Sequence, residues 1–504
     1  MHLHELVATS AAVGATRARS RKTALLAGLI RALDPPEQSL AVAYLTGAIP
    51  QGRIGIGYVS VGGLDVPPAS EPSLTLTDVD ACLTVVAGTT GDGSRQRRDA
   101  ALTDLYARAT ADEQAFLSRL LIGELRHGAL DGVMVAAVAD AGGVGVTAVR
   151  RAYMLSDDLA AVTDAALAGG EPALAAFRLQ VMRPVQPMLA STAADPTDAL
   201  AGAGEVVADA KIDGARVQVH RDGDDVAVFT RSLREITADV PGIVVLTRGL
   251  PARTLILDGE AVSLRADGRP EPFQVTMQRL GEDAAGTPHG TAVRFFDCLH
   301  RDGSDLLDAP LRDRLAALDA VVPAAHVVER AAVADVAAAT AFFDRVVAAG
   351  FEGMVVKALD APYQAGRRGA AWRKVKPSWT LDLVVLAVEW GSGRRRGWLS
   401  NLHLGARDRD GGFVMLGKSF KGLTDEMLEW QTRRFLELET RRTRHVVHVT
   451  PVQVVEVAID GVQTSTRYPG GVALRFARVR RYRDDKTADQ ADTIDAVRAL
   501  HART

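Results

Sequence analysis

The sequence predicts a multidomain chain: an all-α N-terminal domain over residues 1–184, an α+β middle domain over 185–377, and a C-terminal β-barrel domain ending in a helix over 378–504. Three observations carry this. At roughly 150 residues per domain, 504 residues make about three domains. In the first third, apolar residues recur at the helix period, as in Leu25, Leu26, Leu29, Ile30 and Leu33. After Arg183-Pro184-Val185-Gln186-Pro187, which cannot continue a helix, the period falls to two.

The helical third continues through Phe116, Leu117, Leu120, Leu121 and Leu125 and the Ala-rich residues 130–170. Between these patterns lies a Gly-rich loop, residues 88–95, followed by Arg97 and Arg98. It reads as a connector in preference to a phosphate grip. In the middle third, Val217 and Val219 alternate with Arg216, Gln218 and His220, Asp222-Gly223 is a hairpin turn, and 226–230 is the return strand. Further strands are expected at 254–257, 293–296 and 354–356, the last preceded by a helix over 333–349. Beyond Pro377, runs at 381–389, 399–406, 413–416 and 446–458 are spaced like the strands of a small barrel, and a helix-like tail begins at Thr487.

Composition narrows the function. Hydrophobic residues are 47% and charged residues 24%, as in globular proteins, so a long disordered chain is excluded. No apolar run approaches the ~20 residues that span a bilayer. Met1-His2-Leu3-His4-Glu5 lacks the pattern of a signal peptide, so a cytoplasmic location is expected. Cys82 and Cys298 cannot build a disulfide framework or a four-thiolate zinc site. Lys plus Arg is 59 and Asp plus Glu 62, a net charge of −3, so any nucleic-acid binding must come from local patches. Two basic stretches stand out, 367–396 and 475–486.

The chemistry starts at Lys211-Ile212-Asp213-Gly214, between two strands. A lysine at a strand end beside a glycine turn can point into a cleft. There, partial desolvation and nearby cations promote loss of its proton and make it a nucleophile. Alone the tetrapeptide is weak, since roughly one chain in ten of this length carries Lys-x-Asp-Gly by chance. Its company is more specific. Arg216 follows, then Arg231 after a strand, Asp258-Gly259-Glu260 and Phe296-Asp297 at strand ends, and Glu352-Gly353-Met354-Val355-Val356-Lys357 opening another. Trp372-Arg373-Lys374-Val375-Lys376 places Lys374 and Lys376 on one strand face, and Arg475-Phe476-Ala477-Arg478 with Arg481 closes the series.

This ordered series resembles the covalent nucleotidyltransferase superfamily and, within it, the ATP-dependent DNA ligases. The resemblance covers nearly the whole chain. Residues 183–190 look like the leader of the family's adenylation domain, the helical third is similar to its N-terminal DNA-binding domain, including residues 123–128, and the tail resembles its OB-fold domain. The resemblance implies ATP as cofactor, Mg²⁺ or Mn²⁺, nicked duplex DNA as partner, a monomer, and Lys211 as the residue that becomes lysyl-AMP.

It also implies roles. Asp209, where the family's usual residue is Glu, would accept from the adenine amino group, and Phe296 would stack on the base. Arg216, Arg231 and Glu260 would hold ribose and phosphate. Glu260 and Glu352 would place the metal, and Arg368, Lys374 and Lys376 would contact phosphates. Arg475, Arg478 and Arg481 match the last motif, with Arg480 standing where an apolar residue is usual; Arg475 would orient pyrophosphate. The scattered Arg53, Arg95, Arg97, Arg98 and Arg126 would grip duplex phosphates. Competing readings are an RNA ligase or a messenger-RNA capping-type transferase, neither of which needs some 185 residues before the nucleophile, and a non-catalytic DNA-binding scaffold.

Overall fold

The computed structural model describes residues 1–52, 54–125, 131–265, 271, 275–276, 291–364, 366 and 368–501. Arg53, Arg126 and Arg367 lie outside them, as does the second half of the 123–128 segment.

The first part is helical, from Leu3–Ala15 to Leu159–Leu174. Leu25 to Leu33 falls in the helix Arg19–Ala32 and its cap, and Phe116 in Ala111–Leu121. Helix starts are fixed locally: the Thr75 and Thr110 side chains form capping boxes with Asp78 and Glu113, satisfying otherwise orphaned amides. A buried hydrophobic cluster, aliphatic with Tyr44, Tyr106 and Phe116, joins these helices. The Gly-rich loop connects Leu76–Gly88 to Ser94–Ala107. There Arg97 donates to the Asp92 and Thr90 carbonyls and Arg98 to that of Thr89, so both side chains close the loop on itself.

Among the described residues the middle part holds two five-stranded sheets. One runs β1 (Leu189–Thr192), β10 (Arg368–Val375), β9 (Gly353–Ala358), β2 (Val206–Lys211), β8 (Arg330–Ala332). The other runs β4 (Asp225–Thr230), β3 (Ala215–Asp222), β5 (Thr254–Val262), β6 (Ala292–Arg301), β7 (Ser304–Asp305). Among the described strands of these sheets, β1 and β10 pair in parallel and the other pairings are antiparallel. The expected hairpin is present, with Gly223 at φ +61° in its turn. The helix expected over 333–349 runs Val336–Ala348.

A seam ties the helical part to these sheets. Met182 N–H donates to His220 Nδ1 at 3.0 Å and Val185 N–H to Gln218 Oε1 at 2.9 Å. Arg151 forks onto Asp308 at 2.6 and 2.7 Å. Met154 and Leu155, on the helix Val146–Ser156, share a buried cluster with Met188, Tyr363 and Trp372. Burial pushes the His220 imidazole down to about 3, so it stays neutral and can accept from Met182.

The third part is strand-rich. Its main sheet runs β13 (Phe413–Ser419), β12 (Leu399–Arg407), β11 (Trp379–Trp390), β15 (Val446–Val449), β14 (Glu439–Arg442), with β16 (Val454–Ile459) paired to both β11 and β19 (Arg478–Tyr482). β17 (Gly461–Thr464) and β18 (Val472–Arg475) pair separately. The long β11 shares one edge between β16 and β15, and two register shifts bend it against β12. Among the described residues these pairings do not close a ring, so the expected barrel is seen as a curled sheet. The run expected over 446–458 is split into β15 and β16 around Pro451, which has no amide to donate. The tail helix is Ile494–His501. No helix among the described residues is long and apolar enough to cross a membrane.

Candidate active site

A cavity of about 200 Å³ opens between the two middle sheets. Leu189 and Ala190 from β1, Asp209 and Lys211 from β2, Arg216 from β3, Glu260 from β5, Phe296 from β6, Val355 and Lys357 from β9, and Trp372 and Lys374 from β10 line it, with Arg231 at the rim. Asp209, Lys211, Arg216, Arg231, Glu260, Phe296 and Lys374, singled out from sequence, thus face one space. Arg368 opens β10 opposite Leu189, but its side chain lies outside the described parts.

Lys211 ends β2, and its carbonyl accepts from Glu352 N–H at 2.8 Å. That bond sets Glu352 beside the lysine. The Glu352 carboxylate bridges Lys211 and Lys376. Two glycines permit this closeness. A Cβ on Gly353, at φ +141°, would sit 2.1 Å from the Val375 carbonyl, and one on Gly214 2.4 Å from that of Ala261.

The charge balance departs from the sequence expectation. Burial disfavours the Lys211 ammonium, but the Glu352 carboxylate, with Glu260 and Asp213, outweighs it and holds the amine protonated. Burial raises the Glu352 carboxyl too, yet Lys211 and Lys376 prevail and keep it ionised. Burial pushes Glu260 up to about 7, against the pull of Lys211 and Arg216.

Arg216 is tied down. Its guanidinium donates to Asp258 at 3.0 and 2.6 Å, to the Met188 carbonyl at 2.5 Å and to Tyr363 Oη at 3.2 Å. Its charged plane sits 5.4 Å from the Phe296 ring centre. Asp209 is 2% exposed and ion-paired to Lys357 at 2.5 Å and Arg330 at 3.5 Å. Lys357 also donates to the Phe296 carbonyl at 3.1 Å and lies 4.6 and 4.5 Å from the Phe296 and Trp372 ring centres.

Sequence reasoning gave no role to Lys357, Trp372, Asp258 or Tyr363, although the first three stand in the quoted segments. The available signal was the strand alternation: Val355 and Lys357 face the cavity while Met354 and Val356 enter the core behind the sheet. On β10, Trp372 and Lys374 face the cavity, whereas Arg373 caps carbonyls of Asp198 and Ala201 at the end of the helix Pro196–Leu200. Lys376 follows just beyond the strand.

The third part reaches the site through ions. Arg475 on β18 donates to Asp213 at 2.9 Å. Lys376 lies 3.9 Å from Asp460, which Arg478 also holds, at 2.6 Å. Arg481 pairs with Glu456 instead, at 2.9 Å.

Three family models match the chain in order: "DNA ligase N terminus" over residues 63–139, "ATP dependent DNA ligase domain" over 187–376 and "ATP dependent DNA ligase C terminal region" over 395–486. A "Probable DNA ligase" of Saccharopolyspora erythraea is 57% identical, covering 99% of this chain and 98% of its own length. Another, of Rhodococcus jostii, is 56% identical and covers 99% of each. Among solved structures, Pmar-Lig_Pre superposes with a TM-score of 0.63 at 19% identity, over 96% of this chain and 99% of that one, a likeness of fold. With full-length relatives at such identity and all three models matched in order, the chain belongs to the ATP-dependent DNA ligase family.

Proposed function

We propose that this protein seals nicks in duplex DNA by three phosphoryl transfers. The observation that carries the reading is Lys211, held at a strand end in a cationic cavity between two sheets, in a chain of this family. Its amine attacks the ATP α-phosphate, forming a phosphoramidate and releasing pyrophosphate. The AMP then passes to the 5′-phosphate of the nick. The 3′-hydroxyl attacks that phosphate, forms the phosphodiester and expels AMP. The covalent intermediate divides one difficult displacement into easier ones, and the surrounding cations stabilise charge on the phosphate oxygens.

Within this reading Phe296 stacks on adenine, and Asp209 accepts from its amino group. Lys357 holds that carboxylate in place. Arg231, Lys374, Lys376 and Arg368 take the phosphates, Arg475 orients pyrophosphate, and Arg216 braces the wall through Asp258. Glu260 and Glu352 are hard oxygen donors beside Lys211. Among the described residues no group of three acidic, His or Cys side chains could hold a metal by itself. Two carboxylates fit a Mg²⁺ or Mn²⁺ that completes its shell with water and substrate phosphates. Such an ion would neutralise charge on the transferred phosphate.

The division at 184/185 and 377/378 belongs to the same reading, supported by separate cores for the helical and C-terminal parts. So do an OB-type C-terminal domain, supported by the curled β11, a monomeric state and a cytoplasmic location. The test uses the full chain with Mg²⁺ and α-labelled ATP. Label should stay on the denatured protein, and a nicked duplex should be sealed with ATP but not with NAD, and poorly with GTP. Label that never attaches, or sealing with NAD alone, refutes the proposal.

A further inference from the structure

A row of alternating charges runs from Lys211 into the third part. Lys211 pairs with Glu352, and Glu352 with Lys376. Lys376 in turn lies 3.9 Å from the carboxylate of Asp460, which accepts from Arg478 at 2.6 Å. Asp460 is the single residue between β16 and β17. There the chain passes from one ladder to another: Ala458 pairs with Arg478 on β19, and Gly461 with Arg475 on β18. The Asp460 N–H donates to the Arg475 carbonyl at 3.1 Å. Across from this turn Phe476 takes a left-handed φ of +52°, so Arg475 and Arg478 stand on either side of a tight corner. Asp460 therefore touches three cations. It holds Arg478 by its carboxylate, the backbone of Arg475 by its amide, and Lys376 across the boundary between the middle and third parts.

Long cationic side chains that converge repel one another and lose rotamer freedom when held. A carboxylate set among them relieves the repulsion and fixes where each charge points. Asp460 is not among the residues lining the cavity, so it acts through the cations and not on the nucleotide. We infer that Asp460 is a positioning residue for the first transfer: it sets Arg475, Arg478 and Lys376 to receive the two phosphates that leave as pyrophosphate. The inference rests on the function proposed above, in which Lys376 and Arg475 meet those phosphates, and adds a residue that places them. A nick whose 5′-phosphate already carries AMP has no pyrophosphate to release, so its sealing does not call on this arrangement.

The test compares the full chain with Asp460→Asn, which keeps the shape and the amide and removes the charge. Formation of lysyl-AMP should slow about 10- to 100-fold, the cost of misplacing contacting groups, while sealing of a pre-adenylated nick without ATP stays within about twofold of the parent. Asp460→Glu, which returns the charge, should recover part of the lost rate. Adenylation of Asp460→Asn at the parental rate overturns the inference. Loss of both steps by the same factor overturns it too, because the carboxylate would then only hold the third part together. A Glu variant as slow as the Asn variant assigns the loss to shape and has the same consequence. Should Asp460→Asn fail to melt cooperatively, Asp460→Ser, a residue suited to turns, is read by the same two rates. The two readings fail separately: a parent that forms no lysyl-AMP sinks the proposed function, whereas a parent that forms it with indifference to Asp460 sinks the positioning role alone.

Discussion

Lys211 is surrounded by more carboxylate than a nucleophile wants. Glu352, Glu260 and Asp213 all favour its ammonium form, so the free protein stores the nucleophile protonated. Glu352→Gln removes the dominant charge and must lower the lysine's pKa. The rising limb of adenylation against pH should therefore move to lower pH, while the maximal rate falls because Lys376 loses its partner. A pH–rate profile of lysyl-AMP formation checks this; a limb that stays in place or moves up contradicts it. Lys211→Ala should form no adduct. Phe296→Leu should raise the KM for ATP about tenfold, through loss of an aromatic stacking surface, as read by adenylation at varied ATP. Lys211 and its flanking acids could be singled out in the sequence because the proposed chemistry needs those residue types. Lys357 and Trp372 were not, because a lysine in Met-Val-Val-Lys or a tryptophan before arginine gains its meaning only when β9 and β10 turn one face to the cavity. Asp258 was hidden for a related reason: its partner Arg216 lies 42 positions earlier and meets it only through β3–β5 pairing.

Strand β10 sorts its residues by parity, and the sorting predicts different phenotypes for adjacent cations. Lys374→Met should slow adenylation at least about tenfold, since it removes a cation from the cavity wall. Arg373→Met should leave adenylation unchanged and cost about 1 kcal/mol, as it only caps carbonyls of the short helix Pro196–Leu200. Comparing adenylation rates and melting curves of the two variants checks the pair. At the start of β9, Gly353→Ala forces a side chain into a φ of +141° and onto the Val375 carbonyl. A loss of more than about 2 kcal/mol is expected, together with slower adenylation because Glu352 is displaced. The strands themselves were readable from alternation. The split of the 446–458 run was not read, though Pro451 marks it, and the curl of β11 is a tertiary matter: it depends on which partners share its edge.

At the scale of the whole molecule, the seam between helices and sheets carries the clearest pH dependence. His220 is held neutral in the fold, with its pKa down at about 3, and would be protonated near 6.5 in the unfolded chain. A depressed pKa stabilises the fold above the unfolded value and withdraws that stability as pH falls toward the folded one. Between pH 7 and pH 5 the protein should lose about 2 kcal/mol through this group. His220→Gln should flatten that slope in melting experiments; an equal slope in both proteins would assign it elsewhere. Two truncations probe the three parts. A fragment ending near Ser378 lacks Arg475 and should form lysyl-AMP poorly although the cavity remains. A fragment beginning near Arg183 should bind nicks poorly and seal little, and the seam adds a second loss. Without Met154 and Leu155, the cluster behind Met188, Tyr363 and Trp372 is opened to water, so its affinity for ATP should fall as well; equal KM in fragment and full chain would show that the seam only fastens. The three-part order was readable from periodicity and proline, but not this shared core, because residues 154 and 372 carry no mark of each other. That seam bears on how such chains can be recombined. An exchange of N-terminal segments between two relatives cut at the proline break would graft a foreign helix onto a native wall. Hybrids that carry matched residues at Met154, Leu155, Met188 and Trp372 should outperform those joined by linker position alone, making the seam, not the linker, the natural unit of inheritance.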